Sequence, residues 1–163
     1  MPNVPPTTYL IVEGAGDVAF FEHALRQLKV KGVEVKPTQG TGNLRKVLLA
    51  AASAPHVSKF AVIFDADTKH AGYWQTYVAH FAAAGLPTPI RPGEWVSGSK
   101  DERAIQAMLY LLPGPGEIGA IETLLLKTLV GSAGYACVDE LVKCWTDAGI
   151  VVAEAGDKVR MQA

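Results

Sequence analysis

Residues 59–68 constrain this chain more than any other stretch. Phe60 to Phe64 are five apolar residues in a row, and they run straight into Asp65 and Asp67. A short continuous apolar run of this kind predicts a strand buried on both faces, which is the environment of a parallel sheet. Residues i and i+2 at a strand end point the same way. Asp65 and Asp67 therefore share a small space, which is unfavourable unless positive charge lies between them. A divalent cation meets that need. Mg²⁺ is usually held by one or two carboxylates together with waters and substrate phosphates.

The composition supports an ordered chain with a core. Of 163 residues, 49% are hydrophobic and 19% charged, which argues against disorder. The formal net charge is −1, so the chain is not a polycation. Any contact with nucleic acid would come from a local patch. Cys137 and Cys144 form no CxxC or Cys/His cluster and read as free thiols in a reducing compartment. Met1 to Thr8 carries three prolines and reads as an extended arm rather than a secretory leader. No apolar run approaches the roughly 20 residues that span a bilayer. These features lead us to expect a soluble, cytoplasmic protein that inserts in no membrane.

Strand and helix signals alternate along the chain. Tyr9 to Val12 is a short apolar strand that ends at Glu13-Gly14-Ala15-Gly16-Asp17, with Asp17 expected as the cap of the next helix. Val18, Phe21, Leu25 and Leu28 give that helix one apolar face. Val33 to Lys36 is a second strand, followed by a glycine turn at Gln39-Gly40-Thr41-Gly42-Asn43 and a helix facing inward through Leu44, Val47, Leu48 and Ala51. After the Asp65 strand, a loop over 68–72 precedes a helix with Trp74, Tyr77, Val78 and Phe81 on one face. Pro89 to Lys100 shows no periodicity and reads as a connection. Ala104 to Leu112 predicts a fourth strand, ended by Pro113. Ile118, Ile121, Leu125 and Leu129 predict a helix beginning near Glu117, and a last helix is expected over Asp139 to Ala148.

The expected fold class is α/β: a three-layer α/β/α sandwich around a mostly parallel sheet of about four strands. We expect one domain over 1–163, with an arm at 1–8 and a helical appendage at 139–163. In such folds ligands bind at the carboxyl ends of the strands. Three loops meet there, at 13–17, 39–43 and 65–69.

Several motifs compete for these loops. Gly14-Ala15-Gly16-Asp17-Val18-Ala19 matches a G-x-G-x-x-A dinucleotide turn, but Glu13 and Asp17 would repel a pyrophosphate. No G-x-x-x-x-G-K-[ST] phosphate loop occurs. Phe64-Asp65-Ala66-Asp67-Thr68 resembles the first motif of haloacid-dehalogenase-type phosphatases, with Asp65 as nucleophile. Here, however, two strand–helix units precede that strand.

Taken together, Glu13 after the first strand and Asp65-x-Asp67 after the third resemble the Toprim domain of topoisomerases, primases and OLD-type nucleases. The glycine turn Gly40 to Leu44, the strand end Leu111-Leu112-Pro113 and the segment Gly119 to Leu125 are similar to the small Toprim-related proteins of the DUF3226 group. Glu122 falls on the Glu of that group's acidic element, and Asp157-Lys158-Val159-Arg160 resembles the start of its closing segment. The resemblance runs from about Tyr9 to Leu129. It implies that Glu13, Asp65 and Asp67 bind Mg²⁺ or Mn²⁺ and carry catalysis, with Glu117 and Glu122 as ligands for a second metal. Gly14, Gly16, Gly40, Gly42, Asn43, Arg45, Lys69 and Lys158 would contact substrate phosphates. The implied partner is nucleic acid or a nucleotide, approached either by a Mg²⁺-dependent nuclease or phosphotransferase or by a non-catalytic binding module. A homo-oligomer is compatible with both.

Overall fold

The computed structural model describes residues 7–68 and 70–148. The arm before Thr7, Lys69, and the tail from Gly149, including Lys158, lie outside the described residues. Eleven elements follow one another as β1 (Thr8–Val12), α1 (Ala15–Gln27), β2 (Val33–Pro37), a 3₁₀ turn (Thr41–Asn43), α2 (Leu44–Ala52), β3 (Lys59–Asp65), α3 (His70–Ala83), β4 (Val96–Lys100), β5 (Arg103–Leu112), α4 (Ile121–Leu129) and α5 (Ala133–Asp147). The sheet order is β2-β1-β3-β5-β4. The first four strands in that order run parallel, and β4 alone is antiparallel.

The apolar run that opened the argument is the centre of this sheet. In β3, Phe60, Val62 and Phe64 face one layer, and Ala61 and Ile63 face the other. The period of two that belongs to a strand thus distributes one sequence between two cores. On the first face, Tyr9, Ile11, Leu109 and Leu111 join the β3 residues beneath Leu44, Leu48, Tyr77 and Phe81 of α2 and α3. On the other, Leu10, Val12 and Val35 meet Val18, Phe21 and Leu25 of α1. Helices on both faces make the α/β/α sandwich expected from the alternation. Each fully buried Phe on the larger face contributes about 1.5–3 kcal/mol.

The sheet has five strands, not about four. The connection read as aperiodic contains β4, which pairs Gly98 with Ile105 and Ser99 with Ala104. Its residues 97–99 are exposed, so it carries no apolar signature. Pro37 closes β2, which is tolerated because β2 is an edge strand.

Other boundaries shift as well. Helix α1 begins at Ala15 with Gly14 as its cap, so Asp17 lies in the first turn, where its carboxylate accepts the Gly14 N–H at 2.8 Å. Helix α3 starts at His70, inside the expected loop. Helix α4 starts at Ile121 and buries Ile121 and Leu126, while Ile118 precedes it and is exposed. Helix α5 starts at Ala133 rather than Asp139. Leu28 caps α1 on its solvent side. Among the described residues, no single helix is long and apolar enough to cross a membrane.

Candidate metal centre

The carboxyl ends of β1 and β3 and the start of α4 enclose a pocket of about 510 Å³. Glu13 follows β1, Asp65 ends β3, and Asp67 lies two residues beyond it. Glu122 comes from the first turn of α4 and Asp17 from the first turn of α1. Gly14, Gly16, Phe20, Ile121 and Leu125 complete the lining. Among the described residues, every polar side chain in this wall is a carboxylate, and no Lys or Arg joins them.

Backbone geometry fixes each acid. Thr38, which is buried, donates its hydroxyl to the Glu13 carbonyl at 3.2 Å, and the Gly40 N–H reaches the same carbonyl at 3.3 Å. The second glycine loop therefore anchors the first. Asp67 adopts a left-handed φ of 45°, which Asp tolerates better than most residues. Its backbone exchanges two 2.8 Å hydrogen bonds with Gly119. At Gly119, φ is +130° and an added Cβ would lie 2.5 Å from the Thr123 hydroxyl, so only glycine fits. The Asp65 carboxylate accepts the Ile121 N–H at 3.1 Å, which ties β3 to the start of α4.

Like charges crowd this pocket. Burial, then the neighbouring charge of Asp17, pushes the Asp65 carboxyl up to about 7; Glu122 and Asp67 add to the rise, and the bond from Ile121 opposes it. Oε2 of Glu122 is buried without a hydrogen-bond partner. A buried acceptor left unpaired costs stability unless something occupies the space it faces. Hard oxygen donors of this kind suit Mg²⁺ or Mn²⁺. Among the described residues, no three His, Cys, Asp or Glu side chains already close around one point at ligand distance. The donor set fits a hard cation chemically, while the pocket stands open.

The sequence-derived candidates divide accordingly. Glu13, Asp65, Asp67, Glu122, Gly14 and Gly16 come together. Glu117 stays outside the pocket wall and pairs with Lys127 on α4. Gly40, Gly42, Asn43 and Arg45 do not line the pocket; the Asn43 side chain donates to the Gln39 carbonyl, and Arg45 is exposed. Lys69 and Lys158 fall outside the described residues. Two residues acquire roles that sequence reasoning did not give them. Asp17, expected as a helix cap and left out of the ligand set, lines the pocket and raises Asp65. Tyr77, taken as core, feels the charges of Glu13 and Asp67. The position of Asp17 in the loop at the carboxyl end of β1, where it would repel an anion, was the signal that pointed to it.

Residues 7–153 match the family described as "Protein of unknown function (DUF3226)". The chain belongs to the DUF3226 family. The match spans every element from β1 to α5, so the acids of the pocket all lie within the DUF3226 segment. No curated protein and no solved structure matches the chain.

Proposed function

We propose that this DUF3226 protein is a Toprim-like domain that binds Mg²⁺ or Mn²⁺ through Asp65, Asp67, Glu13 and Glu122 and acts on the phosphodiesters of nucleic acid. The observation that carries this reading is the convergence of five carboxylates on one pocket, with Asp65 held up to about 7 and Glu122 Oε2 unpaired. When bound, a divalent cation would offset charge on a phosphate and orient it for in-line displacement. Asp65, the last residue of β3, and Asp67, held just beyond it by its bridge to Gly119, are suited to hold it. Glu13 is suited to accept a proton from an attacking water. Gly14 and Gly16, with nothing but hydrogen on Cα, leave the backbone open to a close phosphate approach.

One observation favours a second reading, a binding module without catalysis. Among the described residues the pocket wall holds no Lys or Arg, and the chain carries a net charge of −1. Non-specific affinity for nucleic acid comes largely from cationic side chains. Calorimetric titration with Mn²⁺, followed by a nuclease assay on single- and double-stranded DNA, separates the two. Metal binding with activity lost in Asp65→Ala supports the enzyme. Metal binding with no activity in either protein supports the module. No metal binding by the wild-type protein defeats both.

A further inference from the structure

Phe20 belongs to neither core cluster, and the inference drawn for it rests on the cation site proposed above. Its neighbour Phe21 packs on the sheet with Val18 and Leu25, whereas Phe20 is 37% exposed. Apolar side chains scattered singly over a surface are ordinary. Phe20 is not scattered, because it lines the carboxylate pocket together with Ile121 and Leu125 of α4. It follows Gly16 by four residues and Asp17 by three, so the three share one side of α1. Helical side chains lean toward the N-terminus, which tips the ring over the turn that bears Asp17. Gly16 brings no side chain to that turn, and a Cβ added there would meet nothing within 4 Å. Phe21 meets the Phe20 ring at 86°, with centroids 5.2 Å apart, and does not stack on it.

The pocket thus has two chemical parts, five carboxylates and an apolar portion made by Phe20, Ile121 and Leu125. A hydrated cation or an inorganic phosphate would use the first part alone. A nucleotide uses both, with its phosphate toward the cation and its base on the aromatic ring. Every base has a π-face, so stacking of this kind asks for no particular sequence. The volume of about 510 Å³ lies in the range of small-molecule sites and suits one such unit. Bases inside a duplex have both faces covered by their neighbours, so only an unstacked nucleotide can present a face to Phe20.

We propose that Phe20 is a base-stacking platform and that the pocket takes one unstacked nucleotide, free or within a single strand, with its phosphate toward the cation.

The test uses the full chain loaded with Mn²⁺ and three probes in calorimetry. These are adenosine monophosphate, a phosphorothioate single strand of deoxyadenosines that resists cleavage, and a covalently closed circular duplex. At least one of the first two should bind more tightly, per nucleotide, than the circle, and the tighter of them names the source of the nucleotide. Phe20→Ala should lower that affinity about 5–150-fold, the loss of one base–aromatic stack. Phe20→Leu, which stays apolar, should lose affinity as well, and Phe20→Trp should keep it. Mn²⁺ affinity should be unchanged in all three variants. Wild-type nucleotide affinity in Phe20→Ala or Phe20→Leu overturns the inference. So does equal binding of the circle, or a loss of Mn²⁺ affinity in Phe20→Ala, which would make the ring structural. Wild-type protein that binds Mn²⁺ but neither nucleotide probe overturns it too and leaves the cation site standing. If the wild-type protein binds no Mn²⁺, the cation site itself is wrong and the role of Phe20 goes with it.

Discussion

The two ends of the parallel strands handle charge in opposite ways. At the amino end, cations are matched to acceptors. Arg103, the first residue of β5, donates to the carbonyls of Ala52, Ala54 and Val57 at 2.8, 2.9 and 3.5 Å. Lys100 of β4 donates to the Ala84 carbonyl at 3.1 Å. Lys59 of β3 lies 5.6 Å from the Trp95 ring. At the carboxyl end, five carboxylates share one pocket, and among the described residues no Lys or Arg lines it. The amino end uses charge to close off helix ends and loops, which completes the fold. The carboxyl end gathers carboxylates around one pocket. Clustered like charges and a raised carboxyl mark functional-site candidates, so the carboxyl end is where the proposed function is to be tested.

The largest expected effect tests the structural end. Arg103→Met keeps the apolar stem and removes the guanidinium that gathers the carbonyls at and after the end of α2. We expect a loss of about 2–3 kcal/mol in urea denaturation, since hydrogen bonds to charged groups contribute about 1.5–3 kcal/mol each and water recovers part of it. Mn²⁺ affinity should not change. A joint loss of stability and metal binding would show that the two ends are coupled and break the contrast.

Asp65→Asn tests the other end and has the opposite sign. The carboxyl of Asp65 stands near 7 in the folded protein against 3.8 when unfolded. The folded state therefore holds this proton more tightly. The resulting stabilisation is fully present below pH 3.8 and is lost as pH rises through about 7. Asn mimics the protonated form. Metal-free Asp65→Asn should be more stable than wild type at pH 8 by about 1–2 kcal/mol, a figure well below full conversion of the shift because the pocket admits solvent. At pH 4 the two should melt alike. The same variant should lose Mn²⁺ binding. A variant less stable than wild type at pH 8 would mean that the carboxylate is already compensated.

Gly119→Ala asks how rigidly Asp67 is held. The new Cβ would meet Thr123 at a φ of +130°, so the bridge to Asp67 must distort. The expected cost is about 1–2 kcal/mol in thermal denaturation. Mn²⁺ affinity should fall too, because the Asp67–Gly119 hydrogen bonds set where that carboxylate stands. Retained affinity would remove Asp67 from the ligand set.

How much of this was legible in the sequence depended on whether the deciding interaction was local. The strands β1 and β3 announce themselves because burial on both faces demands unbroken apolar runs. The pairing of Glu13 with Asp65 and Asp67 followed from alternation alone, since parallel strands bring their carboxyl ends together. Strand β4 was invisible for the converse reason. It is held by backbone pairing to β5, and Gly98 is required by Pro87, from which an added Cβ would lie 2.9 Å. Neither fact leaves a mark in side-chain pattern. Asp17 looks like a cap, which locally it is. Only the tertiary placement of α1 over the strand ends adds the second role.

The smallest expected effect comes from Glu117→Gln, and it decides the metal count. The sequence assigned Glu117 and Glu122 together to a second cation, some 3.5–4 Å from the first in two-metal enzymes. The structure separates them. Glu122 lines the pocket with a buried, unpaired oxygen, whereas Glu117 is about half exposed and paired with Lys127. An exposed ion pair of this kind contributes about 0–1 kcal/mol, less as salt is added. Glu117→Gln should therefore change stability by no more than that, with the difference shrinking at high ionic strength, and should leave Mn²⁺ stoichiometry and affinity as in wild type. Glu122→Gln should lower affinity in the same titration. If Glu117→Gln instead removes one equivalent of Mn²⁺, the loop from Pro113 to Gly119 must swing its acid into the pocket on loading. Lys127 would then hold Glu117 back in the empty state, and Lys127→Met would raise metal affinity rather than leave it untouched.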